Sequence, residues 1–113
     1  MELDKLVDDF ANSVAQQQRS RDTKTANQHA AAYLAAFEAL RAQGDPGREA
    51  LARLLEDSRA EVRVMAAAFL LRYCETRARA VLEAEARGRG MVAFGAQQAL
   101  ERWKEGTWEL DPA

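Results

Sequence analysis

The chain has one cysteine, one histidine, two prolines and six glycines in 113 residues, and each scarcity removes a class of explanation. With Cys74 alone, no internal disulfide forms, and one thiol with one imidazole, His29, cannot build a metal cage. A reducing, cytoplasmic setting is the expectation. No run approaches the roughly eighteen apolar residues of a membrane span. The N-terminus, "MELDKLVDDFANSV", is acidic and amphipathic, unlike the basic and then apolar layout of a secretory signal. Charge of one sign is missing too, with 16 basic and 18 acidic residues and a net charge of −2. No whole-molecule field therefore draws the chain to nucleic acid or anionic lipid.

What is present is helix-forming. Apolar residues make up 48% and charged residues 30%, an ordinary globular balance, with abundant alanine and arginine and few breakers. A single domain of this size buries roughly two-thirds of its unfolded surface. The charge is uneven along it: 7 basic against 10 acidic groups in residues 1–58, 9 against 5 in 59–104, and none against 3 in 105–113.

Leu3, Leu6, Val7, Phe10 and Val14 recur at three- and four-residue spacing, which predicts an amphipathic helix over 2–18 with an acidic first turn. The polar "QQQRSRDTKT" interrupts the pattern, and a second helix over about 23–42 turns Ala30, Tyr33, Leu34, Phe37 and Leu40 inward. In "GDPGRE", Gly44 ends that helix in a left-handed conformation, Asp45 caps the next and Pro46 takes its first position. This third helix carries Leu51, Leu54 and Leu55 to about Asp57. Ser58 and Glu61 have the spacing of a capping box. A fourth helix to about Tyr73 buries Val62, Ala66, Phe69, Leu70 and Tyr73. A fifth runs over about 77–87 with Val81 and Leu82. After the break "RGRG", a sixth over about 91–104 turns Val92, Ala96, Ala99, Leu100 and Trp103 inward. No segment alternates with period two, so the expectation is all-α, about six helices and no sheet.

Shifted by thirty residues, the chain matches itself: Ala50 with Ala80, Leu51 with Val81, Val62 with Val92, Ala66 with Ala96, Leu70 with Leu100, Arg72 with Arg102 and Tyr73 with Trp103. A helix-turn-helix unit used twice is the pattern of an α-solenoid, in which stacked neighbours supply the core. The stretch "LLEDSRAEVRVMAAAFLL" resembles the HEAT-like repeat at Leu54, Leu55, Asp57, Val62, Arg63, Ala66, Ala67 and Leu70. That resemblance implies that Asp57 and Arg63 tie successive units together. The second copy departs from it, with Ala93 in the arginine's place and Arg87 in the aspartate's. The organisation expected is one domain: a helix pair in 1–45, a HEAT-like repeat in 46–75, a degenerate copy in 76–104 and a tail in 105–113. Over its whole length the chain further resembles a small bacterial family of single-domain proteins with HEAT-like helices, whose function is itself unsettled. HEAT-like proteins of this size beside toxin genes are suspected antidotes, so the resemblance implies an immunity or antidote role.

Candidate chemistry is sparse. His29 near Asp22 or Glu38 lacks a nucleophile to serve as a base, and a lowered thiol pKa at Cys74, beside Arg72 and Arg77, is less common than a cysteine filling a helix junction. Asp8 with Asp9, and Glu83 with Glu85, are too close in sequence to share a helix face. "GRGMVAFG" at 88–95 follows no strand and has the wrong spacing for a dinucleotide loop, so Gly95 is read as a site of close helix packing. No catalytic, metal or cofactor site is assigned. The function expected is non-enzymatic protein binding, with Ser58, Glu61, Asp57 and Arg63 holding the turn. Contacts to a partner are expected from Asp4, Asp8, Asp9, Arg72, Arg77, Arg79 and Trp108. The alternative is nucleic-acid backbone binding along Arg59, Arg63, Arg72, Arg77, Arg79, Arg87 and Arg89, opposed by the interspersed glutamates. Trp108 with Leu110 either caps the last repeat's apolar edge or anchors a partner.

Overall fold

A computed structural model of the chain describes residues 2–108 and 110; the remainder of the 105–113 tail lies outside the described residues. Six α-helices follow one another: α1 (Glu2–Arg19), α2 (Thr23–Ala42), α3 (Asp45–Ala52), α4 (Ala60–Leu70), α5 (Glu75–Ala86) and α6 (Met91–Glu105), with a 3₁₀ turn over Arg53–Glu56. No strand occurs among the described residues. None of the described helices is long and apolar enough to cross a membrane. Two compact units divide between Leu54 and Leu55, inside the 46–75 stretch.

In the first unit α1 and α2 form a helical hairpin, and α3 packs on both. Val7, Phe10, Ala11, Val14 and Ala15 form the buried stripe of α1, and Tyr33, Ala36, Phe37 and Leu40 that of α2. Phe10 and Tyr33 meet edge to face at 5.8 Å, the geometry in which a positive ring edge meets a negative ring face. Asp22 starts α2 by accepting hydrogen bonds from the Thr25 amide at 2.7 Å and the Thr25 hydroxyl at 3.1 Å. These bonds satisfy one of the helix's open donors and hold the Asp22 carboxyl below the usual carboxylate range.

Two details of this unit differ from the sequence reading. Leu34 is 44% exposed while Ala36 is buried, because the stripe of α2 follows the spacing 33, 36, 37, 40. Asp45 is the first residue inside α3 and does not cap it; Gly44 takes the capping position, with φ +75° and ψ −147°, and Pro46 sits in the first turn. The more demanding glycine is Gly47, whose missing Cβ would stand 1.8 Å from the Leu40 carbonyl oxygen. The end of α2 and the start of α3 therefore approach each other backbone to backbone.

In the second unit α4 packs against both α5 and α6, and α5 and α6 form a hairpin. The core holds Val62, Ala66, Ala67, Phe69, Leu70 and Leu71 against Ala78, Leu82, Ala93 and Ala96. Tyr73 lies in the turn after α4, half-buried. The starts of α3 and α5, at 45 and 75, keep the thirty-residue period; those of α4 and α6, at 60 and 91, keep it to within one residue. Gln97 donates from Nε2 to the Ala86 carbonyl at 2.9 Å, which fills one of the acceptors left open at the end of α5. Gly95 is a correction to the sequence reading. It is exposed, and an added Cβ would meet nothing within 4 Å, so no close packing inside the chain requires it.

Candidate protein-binding surface

The turn before α4 is built from Asp57 outward. Its Oδ1 accepts from the Arg59 amide and from Arg59 Nε, both at 2.9 Å, and its Oδ2 accepts from an Arg59 terminal nitrogen at 3.1 Å. The Arg59 hydrogen bond is the main reason that the Asp57 carboxyl stays below its ordinary range, with burial opposing. Arg63 then donates to the Asp57 carbonyl at 2.8 Å and, through Nε and a terminal nitrogen, to Glu85 of α5 at 3.2 and 2.6 Å. Arg63 and Glu85 retain only 26% and 24% exposure, so this pair is poorly screened and joins the turn to the next helix. Sequence reasoning named Asp57 and Arg63 and missed Glu85, whose partner lies 22 residues away.

The Ser58–Glu61 capping box does not form. Arg59, one residue past Ser58, holds the capping position of α4 with no side-chain cap, while Asp57 accepts from the Arg59 amide and Ser58 is exposed.

The arginines expected to form an open cationic edge are largely occupied. Arg59 and Arg63 are held as described, and Arg79 reaches Glu75 and Glu83 at 3.3 Å each. Arg72 lies over the Trp108 ring at 5.6 Å, and Arg77 is engaged as well. Arg87 and Arg89 are exposed and form no ion pair with any described residue. On α1, Asp4 is bound at 2.8 Å by Arg53, whose hydrogen bond and charge lower the Asp4 pKa; Asp9 pairs with Lys5 at 3.0 Å. Asp8 is exposed. The acidic group expected to meet a partner is thus partly committed within its own unit.

Trp108 is not an exposed anchor. It is 7% exposed, donates from its indole N–H to the Ala68 carbonyl at 2.8 Å, and meets Trp103 edge to face at 5.2 Å. Ala68 lies within the last four residues of α4, whose carbonyls lack the usual partner one turn on. The tail therefore supplies a missing donor to the end of α4. Trp103 itself donates to Glu75 at 3.1 Å. A mixed-charge groove of about 470 Å³ runs between α5 and α6 over Leu100 and Trp103, with Arg79, Glu83, Glu101 and Lys104 on its walls.

His29 is half-buried in α2, and Cys74 sits at the N-terminal boundary of α5. No group of three or more histidine, cysteine, aspartate or glutamate residues is placed to hold a metal among the described residues.

Sequence reasoning missed one surface. Met91 is 76% exposed and Phe94 54%, one turn apart at the start of α6, with Gly95 beside them. Arg87 and Arg89 stand just before them in the turn. Ala93 and Ala96 are the buried residues of α6, and the opposite side of the helix carries Met91 and Phe94 outward. The available signal was the unexplained glycine inside a helix next to Phe94. No family model, curated protein or solved structure matches the chain.

Proposed function

We propose that the chain is a non-enzymatic protein-binding module that docks a protein through the N-terminal half of α6. One observation carries the reading: Met91 and Phe94, two large apolar side chains, lie together on an exposed helix face. Isolated exposed apolar residues are ordinary, but a methionine and a phenylalanine at i,i+3 with a cationic margin have the composition of an interface core. Met91 adapts to an irregular partner surface and Phe94 supplies a rigid anchor. HEAT-like stacking of the helix pairs in 46–104 is the frame this proposal gives to that face. The nucleic-acid alternative has less support, since three of the seven arginines it needs, Arg59, Arg63 and Arg79, are paired with neighbouring carboxylates and Arg72 lies over Trp108.

The test is capture of proteins from the native host by immobilised wild type and by Met91→Ser/Phe94→Ser. A protein retained by the first and lost with the second, at unchanged circular dichroism, supports the reading; identical capture by both overturns it. An antidote is the specific form this function takes when the captured protein is a toxin encoded beside the chain, which co-expression with the neighbouring gene tests directly.

A further inference from the structure

We propose that the partner seated on this face is an amphipathic helix of another protein, with its apolar stripe over Met91, Phe94 and the gap at Gly95 and with acidic side chains against Arg87 and Arg89. The inference rests on the docking face proposed above and adds the chemistry of its occupant.

The shape of the face selects a helix. At about 100° per residue, Met91, Phe94, Gly95 and Gln98 fall on the side of α6 turned away from the buried Ala93 and Ala96. Nothing in the chain comes within 4 Å of where a Gly95 Cβ would stand, so the glycine leaves a gap on the helix surface. Met91 borders it one turn before and Gln98 one turn after. Glycine is less favourable than alanine inside a helix, and no contact within the chain offsets this. A side chain from outside fills the gap against the bare backbone, as a ridge of one helix enters a groove of another. With its borders the gap spans about two turns, the length over which a docked helix uses apolar residues at i, i+3 or i+4 and i+7. An extended segment has less to hold, because no strand occurs among the described residues and no sheet edge is offered for backbone pairing.

The charges at the margin of the face have one sign. Residues 91–98 carry no charge, and Arg87 and Arg89, in the turn just before them, are exposed and without an ion pair among the described residues. The carboxylates that precede them in α5 are already held, Glu83 by Arg79 at 3.3 Å and Glu85 by Arg63 at 2.6 Å. Glu61 of α4 stands behind the face, since α4 packs on the buried side of α6. Farther along α6, Glu101 and Glu105 are matched in number by Arg102 and Lys104, so that half of the helix adds no net sign. The first turn of α6 holds no acidic residue and no side chain caps it, so the helix dipole adds to the positive end. A stripe flanked by carboxylates meets both arginines without displacing an internal pair, whereas a stripe flanked by lysines sets like charges together.

Selection from a displayed library of helix-forming peptides, against the full chain in low salt, tests this. Stripe positions vary among Leu, Ile, Met, Phe and Trp, and the flanking positions vary among Glu, Lys and Gln. Wild type is expected to enrich glutamate beside one end of the stripe, and Arg87→Glu/Arg89→Glu to enrich lysine there instead. A synthetic peptide from the wild-type selection should bind the charge-reversed variant about tenfold more weakly by fluorescence anisotropy, since attraction at each arginine becomes repulsion. Gly95→Leu should weaken the same peptide at unchanged helix content. Enrichment without a charge preference, a preference that survives charge reversal, or binding indifferent to Gly95→Leu overturns the acidic helix and leaves the docking face standing. Enrichment by wild type no different from that by Met91→Ser/Phe94→Ser removes the face, and the inference with it. A wild type that forms a dimer through Met91 and Phe94 in sedimentation velocity, or that sediments with phosphatidylglycerol vesicles and enriches no peptide, assigns the face to a second copy or to a lipid surface and likewise overturns the acidic helix.

Discussion

Replacing Trp108 with alanine is expected to lower stability by about 2–3 kcal/mol. An aromatic side chain of this kind buries about 150–250 Å², and such truncations in cores cost about 3–5 kcal/mol. The 7% exposure of Trp108 places it in that class. Its indole N–H bond to Ala68 at 2.8 Å adds about 1 kcal/mol, and the Trp103 edge contact and Arg72 cation add about as much together. Against these stands the position of Trp108 in the irregular segment after α6. Once the ring is gone, residues 106–108 can undock and recover about 1–2 kcal/mol of backbone freedom each, and water then reaches the Ala68 carbonyl. The release of the tail thus offsets much of that cost and brings the net loss down to about 2–3 kcal/mol, below the core range. Trp108→Phe keeps an apolar ring but offers no donor, so the carbonyl stays covered and unpaired, at about 1–2 kcal/mol. Urea unfolding followed by circular dichroism reads both variants. With a slope of about 1–3 kcal/mol per molar, the alanine midpoint should fall by about 1–2 M. An alanine variant within 0.5 kcal/mol of wild type would refute the claim that the tail completes the end of α4.

Gly47→Ala should cost about 3 kcal/mol or more, since the added methyl meets the Leu40 carbonyl and the α2–α3 hairpin must open; a thermal midpoint near wild type would contradict the close approach. Gly95→Ala should stabilise the monomer by about 0.5–1 kcal/mol through helix propensity alone, and a loss of stability measured in dilute solution would show that the glycine has a role within the chain. Asp57→Ala should cost about 0.5–2 kcal/mol at neutral pH. Because the folded Asp57 pKa is depressed, its contribution is complete above the unfolded value near pH 4 and disappears as pH falls through the lower folded value. The stability gap between wild type and variant should accordingly narrow in acid, and a gap that is unchanged at pH 2 would remove the charge from the explanation.

Much of the helical layout was readable because its causes are local. The bounds of α2 follow from the polar break before Thr23 and the glycine after Gln43, and the structure gives Thr23–Ala42. Asp57 was legible as a turn residue for the same reason, its partner Arg59 being two residues away. The capping box was a local expectation that failed by one residue: α4 starts at Ala60 with Arg59 at the capping position, so Ser58 does not stand where a cap is needed. Glu85, by contrast, has no local mark, since any exposed helix glutamate looks alike until Arg63 is placed against it.

Sequence by itself determined that the chain is helical, where its helices break, and which residue types are too scarce to build a disulfide or a metal cage, because periodicity, breakers and composition act over a few residues. Tertiary structure decided which face of each helix is inside. It turned Leu34, Met91 and Phe94 outward and drew Trp108 forty residues back onto Ala68, and it committed Arg59, Arg63 and Arg79 to neighbouring carboxylates. The physical reason is that several stripes of an alanine-rich helix are apolar enough to be buried. The choice among them follows from which neighbours arrive and which open carbonyls still need a donor.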